Sequence, residues 1–297
     1  MKKTVLILAL CAVCAGAQAQ SMGFLNVNPD AAASGMAGAS VATKADAYAF
    51  SNNTAAAAIS ENRMAVAGGY GLWQPKATKN GILSLEGFYR IGGKFALTAG
   101  FKSFGGQEYT ITSAEGRSNG TFTPKEMDFG LGVAYAVSEN FSVGANFKMA
   151  SSSLAEEAKA STFGADISAA YRSGALGAGI ALCNLGGKVN YGGEDYSLPT
   201  VVKAGAAYEA IAGLTASAEV DYMFSGAFMA ALGAEYWIKD IVAVRAGYHY
   251  GPADKGIPSY ASVGLGAKFS GVTLNASYLL ASQTLGGSLA FGVGYCF

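Results

Sequence analysis

The sequence predicts an all-β fold, a 14-stranded antiparallel transmembrane β-barrel preceded by an N-terminal plug, or hatch, segment. Three observations carry this prediction. From Arg63 onward, large apolar side chains recur at every second residue, as in Phe129, Leu131, Val133 and Tyr135; this is the period of a strand with one apolar face. The charged residues fall on the opposite phase, among them Glu86, Lys102, Asp128, Lys148, Asp166, Glu219 and His249. A polar interior and an apolar exterior are what a barrel in hydrocarbon requires, and the inverse of a soluble ligand-carrying barrel. Composition agrees: 41 glycines in 297 residues and 13% charged side chains are roughly twice and half the usual ~7% and ~25% shares.

The first element is a predicted secretory signal, Met1 to Ala19. It has a Lys2-Lys3 start, an apolar run from Val5 to Ala15 and Ala17-Gln18-Ala19 before Gln20. The run is too short to span a bilayer, and Leu10 and Val13, which precede Cys11 and Cys14, are not the small residues of a lipoprotein site. Without Lys2 and Lys3 the twenty basic residues become 18 against 20 acidic ones. That near neutrality points away from nucleic acid.

Residues 20–62 form the predicted hatch, on the periplasmic side or inside the lumen. They are rich in Ala and Gly, lack a two-residue period, and hold two short helical stretches, Asp30 to Met36 and Asn53 to Ser60. Asp30 and Asn53 are of the type that caps a helix N-terminus by accepting a bond from an orphan N–H. So short a segment cannot bury enough surface to fold alone and needs a cavity to lie in.

Residues 63–297 form the predicted barrel, with strands at about 63–73, 81–91, 94–104, 126–137, 140–152, 161–172, 175–183, 199–209, 214–223, 227–238, 242–250, 259–269, 272–281 and 286–297. Even-numbered links are tight, such as Gly92-Gly93 and Ser270-Gly271, whereas 105–125, 153–160, 184–198 and 251–258 are long. Short turns in the periplasm and long loops outside then place both termini in the periplasm. Outward tyrosines near the strand ends form two aromatic girdles. Inward Gly and Ala leave room for the hatch.

Catalytic chemistry is not expected. His249 is the single histidine and lacks the arrangement of a nucleophile and carboxylate that a hydrolase needs. Counting back from the hairpin turns sets Lys203 opposite Asp221 and Glu235 opposite Arg245, as lumenal ion pairs. Cys183 and Cys296 fall at opposite ends of the barrel, too far apart for a disulfide. No cofactor, metal or phosphate motif is present in the sequence.

The hatch carries a resemblance. Phe24-Leu25-Asn26-Val27-Asn28-Pro29-Asp30-Ala31, then Ser34-Gly35-Met36-Ala37-Gly38-Ala39 and Asp46-Ala47-Tyr48-Ala49, resemble the N-terminal signature of the PorV/PorQ family, FadL-like outer-membrane proteins of Bacteroidetes. Where that family places Asn-Pro-Ala, this chain has Asn53-Thr54-Ala55. The resemblance implies a hatch built on Pro29, Asp30, Gly35, Met36, Gly38, Asp46 and Asn53. It implies a gated channel for small hydrophobic or amphipathic solutes in the outer membrane, with lipid around it and a hydrophobic ligand inside. Some members instead serve type IX secretion, which makes an accessory or scaffold barrel with secretion-machinery partners, docking through loops 105–125 and 184–198, the alternative. A purely structural barrel is the third reading.

Overall fold

The computed structural model describes residues 20–78, 80–281 and 285–297. The predicted signal at 1–19 lies outside the described residues. Among the described residues fourteen strands close one antiparallel barrel. In chain order they are β1 Met64–Trp73, β2 Asn80–Ile91, β3 Phe95–Gly105, β4 Lys125–Ala136, β5 Phe141–Ser153, β6 Lys159–Ser173 and β7 Leu176–Gly186. The second half is β8 Val201–Ile211, β9 Leu214–Met223, β10 Phe228–Ile238, β11 Val242–Tyr250, β12 Tyr260–Phe269, β13 Val272–Ala281 and β14 Leu289–Cys296. Each strand pairs with the next, and β14 returns to β1 in the register Tyr70↔Phe291. Met64 and Phe297 exchange two main-chain bonds of 2.8 and 2.9 Å at the seam. Closure leaves no unpaired edge, which lipid could not satisfy.

The alternation sorts the side chains as the sequence analysis expects. On β4, Phe129, Leu131 and Val133 are 55, 70 and 47% exposed, whereas Asp128 is 5% exposed. A charge on the outer face would cost ~2–4 kcal/mol at mid-membrane, enough to enforce the choice. Tyr70, Tyr248, Tyr250 and Tyr278 near one rim, and Tyr89, Tyr135, Tyr171, Tyr208, Tyr236 and Tyr295 near the other, are exposed. The tight hairpins use backbone that suits a right-handed twist: Gly92 and Gly93 have φ of +60 and +77°, and Lys239 and Asp240 both +55°. The long links 105–125 and 184–198 contain small hairpins of their own, Tyr109–Thr112 with Ser118–Phe122 and Lys188–Asn190 with Asp195–Ser197. Cys183 and Cys296 are free thiols.

Residues 20–62 run through the barrel interior. Ser21 donates its N–H to the Ser197 carbonyl at 3.0 Å, and Met22 and Phe24 pack with Val189 and Leu198 at the long-loop mouth. Gln20 therefore lies at the long-loop mouth, opposite Phe297, whereas the sequence reading places residue 20 on the tight-turn side. The chain crosses the lumen to Lys44, whose ammonium meets Glu209 at 3.2 Å near the tight-turn mouth. It then climbs to Phe50 and descends again to enter β1. The two predicted helical stretches appear as Ala31–Gly35 and a 3-10 turn at Thr54–Ile59, and the segment adds a short helix at Ala49–Asn52 and a 3-10 turn at Gly23–Asn26, which the sequence did not predict.

Candidate functional site

Among the described residues the buried charged groups lie in the lumen, and the inward phase of the strands builds it. Seven inward groups alternate in sign around one side, with β7 contributing none: Glu86 on β2, Lys102 on β3, Asp128 on β4, Lys148 on β5, Asp166 on β6, Lys203 on β8 and Glu219 on β9. Ion pairs neutralise six of them, all but Glu86. Lys148 meets Asp166 at 2.8 Å, Lys102 meets Asp128 at 3.8 Å, and Lys203 meets Glu219 at 3.8 Å. Buried ions persist only when paired and hydrogen-bonded, so this belt must be satisfied from within the barrel.

Much of that satisfaction comes from residues 20–62. Glu219 accepts the Ser40 and Val41 N–H groups at 2.8 and 2.7 Å. Lys102 donates to the Leu25 and Val27 carbonyls at 3.2 and 3.1 Å. Glu86 accepts from the Ser51 N–H at 3.1 Å, and Asn146 donates to the Phe50 carbonyl at 2.9 Å. None of these four was singled out by the sequence analysis as a site residue. Their signal was an inward polar side chain in mid-strand, where a narrow lumen has no bulk water to offer.

The hatch residues named from the sequence are spread along this path. Pro29 is buried at the long-loop half. The Asp30 side chain caps Ala32 at 2.8 Å and accepts from Asn52 Nδ2 at 3.0 Å. The Gly35 carbonyl accepts from Ser262 at 3.0 Å. Met36 fills the space left by Gly233 and Gly247, where an added Cβ would come within 2.6 and 2.5 Å of it. Gly38, at φ +88°, continues the turn that ends the helix, and its N–H reaches the Ala33 carbonyl at 2.9 Å. Asp46 accepts from the Tyr48 N–H at 2.9 Å. Asn53 caps Ala55 at 3.1 Å and donates to the Val41 carbonyl at 2.8 Å. Burial raises the carboxyls of Asp30 and Asp46 above the usual range, and Asp30 adds its own repulsion at Asp46.

Of the lumenal pairs, Arg245 meets Glu235 directly opposite in the register at 2.6 Å. Lys203 stands opposite Asp221 in the register, yet its ammonium contacts Glu219 in place of Asp221. The longer glutamate lies two residues away on the same face, within reach of a lysine. Asp221 Oδ1 is buried without a hydrogen-bond partner.

Residues 20–62 do not fill the lumen evenly. Beside β10–β14 they leave a cavity of about 840 Å³, bounded by Asp30, Glu235, Arg245, Asn275, Gly292 and Gly294 and reaching the tight-turn mouth at Lys239 and Gly271. Among the described residues no group of three or more His, Cys, Asp or Glu is placed to hold a metal. His249 stacks on Tyr260 at 4.9 Å and lies against the Ile257 carbonyl, as a packing residue.

Comparison with known proteins gives both a family and a fold. A family model described as type IX secretion system protein PorV matches residues 16–225. No curated protein matches the chain. Among solved structures, the Ralstonia pickettii toluene transporter TbuX superposes with a TM-score of 0.68 at 14% identity, covering 91% of this chain and 98% of that one. The P. putida toluene transporter TodX gives 0.69 at 12% identity, covering 89 and 97%. A FadL homologue from Pseudomonas aeruginosa gives 0.59 at 14% identity, covering 94 and 97%. At these identities the likeness is one of fold.

Proposed function

The chain belongs to the PorV family of type IX secretion system proteins, and on that premise we propose that this outer-membrane barrel is a gated channel for small apolar or amphipathic solutes, with residues 20–62 as its hatch. In this reading the tight turns face the periplasm and the long loops the exterior. Export depends on a cleaved leader at 1–19. The observation that supports the reading is the asymmetry of the lumen: segment 20–62 runs through its middle, while a cavity of about 840 Å³ reaches the tight-turn mouth. A barrel blocked at one level and hollow below it has the form of a gate with a vestibule. The fold of two toluene transporters is consistent with this use.

The test is solute entry into liposomes. Protein lacking 21–62, checked for a folded barrel by its heat-sensitive gel mobility, should admit small solutes many times faster than the full chain. Equal leakage refutes the hatch.

The family match favours a second reading, an accessory barrel of a type IX machine, for which the exposed hairpin around Tyr109 and Thr121 offers a docking surface. A stoichiometric protein partner after gentle solubilisation, with no change in solute entry on hatch deletion, would select it.

A further inference from the structure

The barrel holds residues 20–62 at many of their main-chain groups. Lys102 donates to two successive odd-numbered carbonyls, Leu25 and Val27, at 3.2 and 3.1 Å. Glu219 takes the neighbouring N–H groups of Ser40 and Val41 on one carboxylate oxygen, at 2.8 and 2.7 Å. Asn146 donates to the Phe50 carbonyl at 2.9 Å, Ser142 to the Ala55 carbonyl at 2.7 Å, and Ser262 to the Gly35 carbonyl at 3.0 Å. Glu86 takes the Ser51 N–H at 3.1 Å. These contacts come from strands spread around the barrel, and each one reads a peptide group that any residue except proline could supply at a donor position.

Side chains add contacts at particular positions: the Ser51 and Thr54 hydroxyls donate to Glu86 and Asn146, Tyr48 meets Ser84, and Lys44 pairs with Glu209. Met36 and Phe50 occupy seats made by inward glycines: an added Cβ on Gly233 would meet Met36, and one on Gly100 would overlap the Phe50 ring. Between these anchors the segment is mostly Ala, Gly and Ser. Charged side chains aimed at peptide N–H and C=O groups, with pockets for occasional larger residues, are the elements of peptide recognition.

We infer that the lumen is a peptide-binding site, that residues 20–62 are its resident ligand, and that a second polypeptide segment rich in small residues can take their place. The inference rests on the hatch reading but makes a separate claim. A hatch need only block, whereas a peptide site must release its occupant and accept another of the same backbone chemistry.

A protease site inserted at the exposed Glu61 in the otherwise complete chain tests this. After cleavage the segment should stay with the folded barrel through gel filtration, then exchange with an added labelled peptide of residues 20–62. Glu219→Leu should speed that exchange at least tenfold, and Glu219→Gln, which keeps an acceptor oxygen, less than threefold. A competitor peptide N-methylated at Ser40 should bind at least tenfold more weakly, while one N-methylated at exposed Lys44 or carrying Ser40→Ala should compete nearly as well as the parent. Unfolding of the barrel on cleavage would overturn the inference by making the segment a part of the core. Equal weakening by N-methylation at Ser40 and by Ser40→Ala, or failure of any peptide to exchange, would overturn it as well. Loss of the cleaved segment with a rise in liposome leakage would sink the peptide site and leave the hatch standing.

Discussion

The two sides of the lumen are built from the same inward pattern of small and polar residues, but residues 20–62 cover one of them over most of its height and the other only above the cavity, where Met36 sits on Gly233 and Gly247. Along β2–β5, Ala47, Tyr48, Ala57 and Ala58 pack against Phe88, Ala96, Ala134 and Ala136, and the belt residues hold the segment's peptide groups. Along β10–β14 the lower wall faces the cavity, with Asn275, Gly292 and Gly294 on its surface. The difference teaches that an inward glycine or asparagine has no fixed meaning in such a barrel. Its role depends on whether a second layer of chain reaches it.

Four measurements would break or sharpen that contrast. The largest effect belongs to Phe50, 6% exposed against the covered wall. Phe50→Ala should cost roughly 3–5 kcal/mol of segment seating, read as lost hydrogen-exchange protection across 47–59. Next is a matched pair of asparagines. Asn146→Ala strands the Phe50 carbonyl and the Thr54 hydroxyl, which bonds it at 2.6 Å, and should cost about 2–3 kcal/mol. Asn275, whose Oδ1 has no partner, should tolerate the same change within ~0.5 kcal/mol by urea unfolding in detergent. Equal losses at both would erase the distinction between the walls.

A pair of glycines gives a smaller effect. A Cβ on Gly144 would lie 2.7 Å from the Ala55 nitrogen, whereas on Gly292 its nearest neighbours are at 3.7 Å. Gly144→Ala should therefore cost about 1–3 kcal/mol through overpacking, and Gly292→Ala should leave protection of 31–35 and 53–59 unchanged. The smallest effect is one of pH. Burial raises Asp30 and Asp46 above the ordinary value of 3.8, so the seated segment takes up protons. An acid raised on folding contributes stability that is complete below its unfolded value and lost as pH climbs through its folded one. Protection factors across 31–47, corrected for intrinsic exchange, should accordingly fall as the pH is raised from about 4 towards 8. An increase would show that Asn52 and the Ala32 N–H, which favour the carboxylate at Asp30, outweigh burial.

Much of the barrel was legible because the solvent writes it into the sequence. Lipid rejects charge at every outward position, so the phase of Leu131 and Asp128 in the alternation is enough to assign them to opposite faces. Turn counting gave the register of Glu235 with Arg245. The partner of Lys203 was not legible in the same way, because register places Cα atoms while side-chain length decides which carboxylate is touched. The capping roles of Asp30 and Asn53 were readable from residue type, and both side chains accept the N–H two residues on. Glu219, Lys102 and Asn146 could be seen as inward groups. Their attachment to residues 20–62 could not, since a segment without periodicity carries no mark of its path.

By itself, then, the sequence determined the strands and their inward and outward faces, since each follows from local alternation under a two-sided solvent. Only the tertiary structure decided where residues 20–62 run, which wall they cover and which glycines become seats for Met36 and Phe50. Those outcomes depend on contacts between residues far apart in the chain, where shape and main-chain hydrogen bonding, rather than any period, choose the partner.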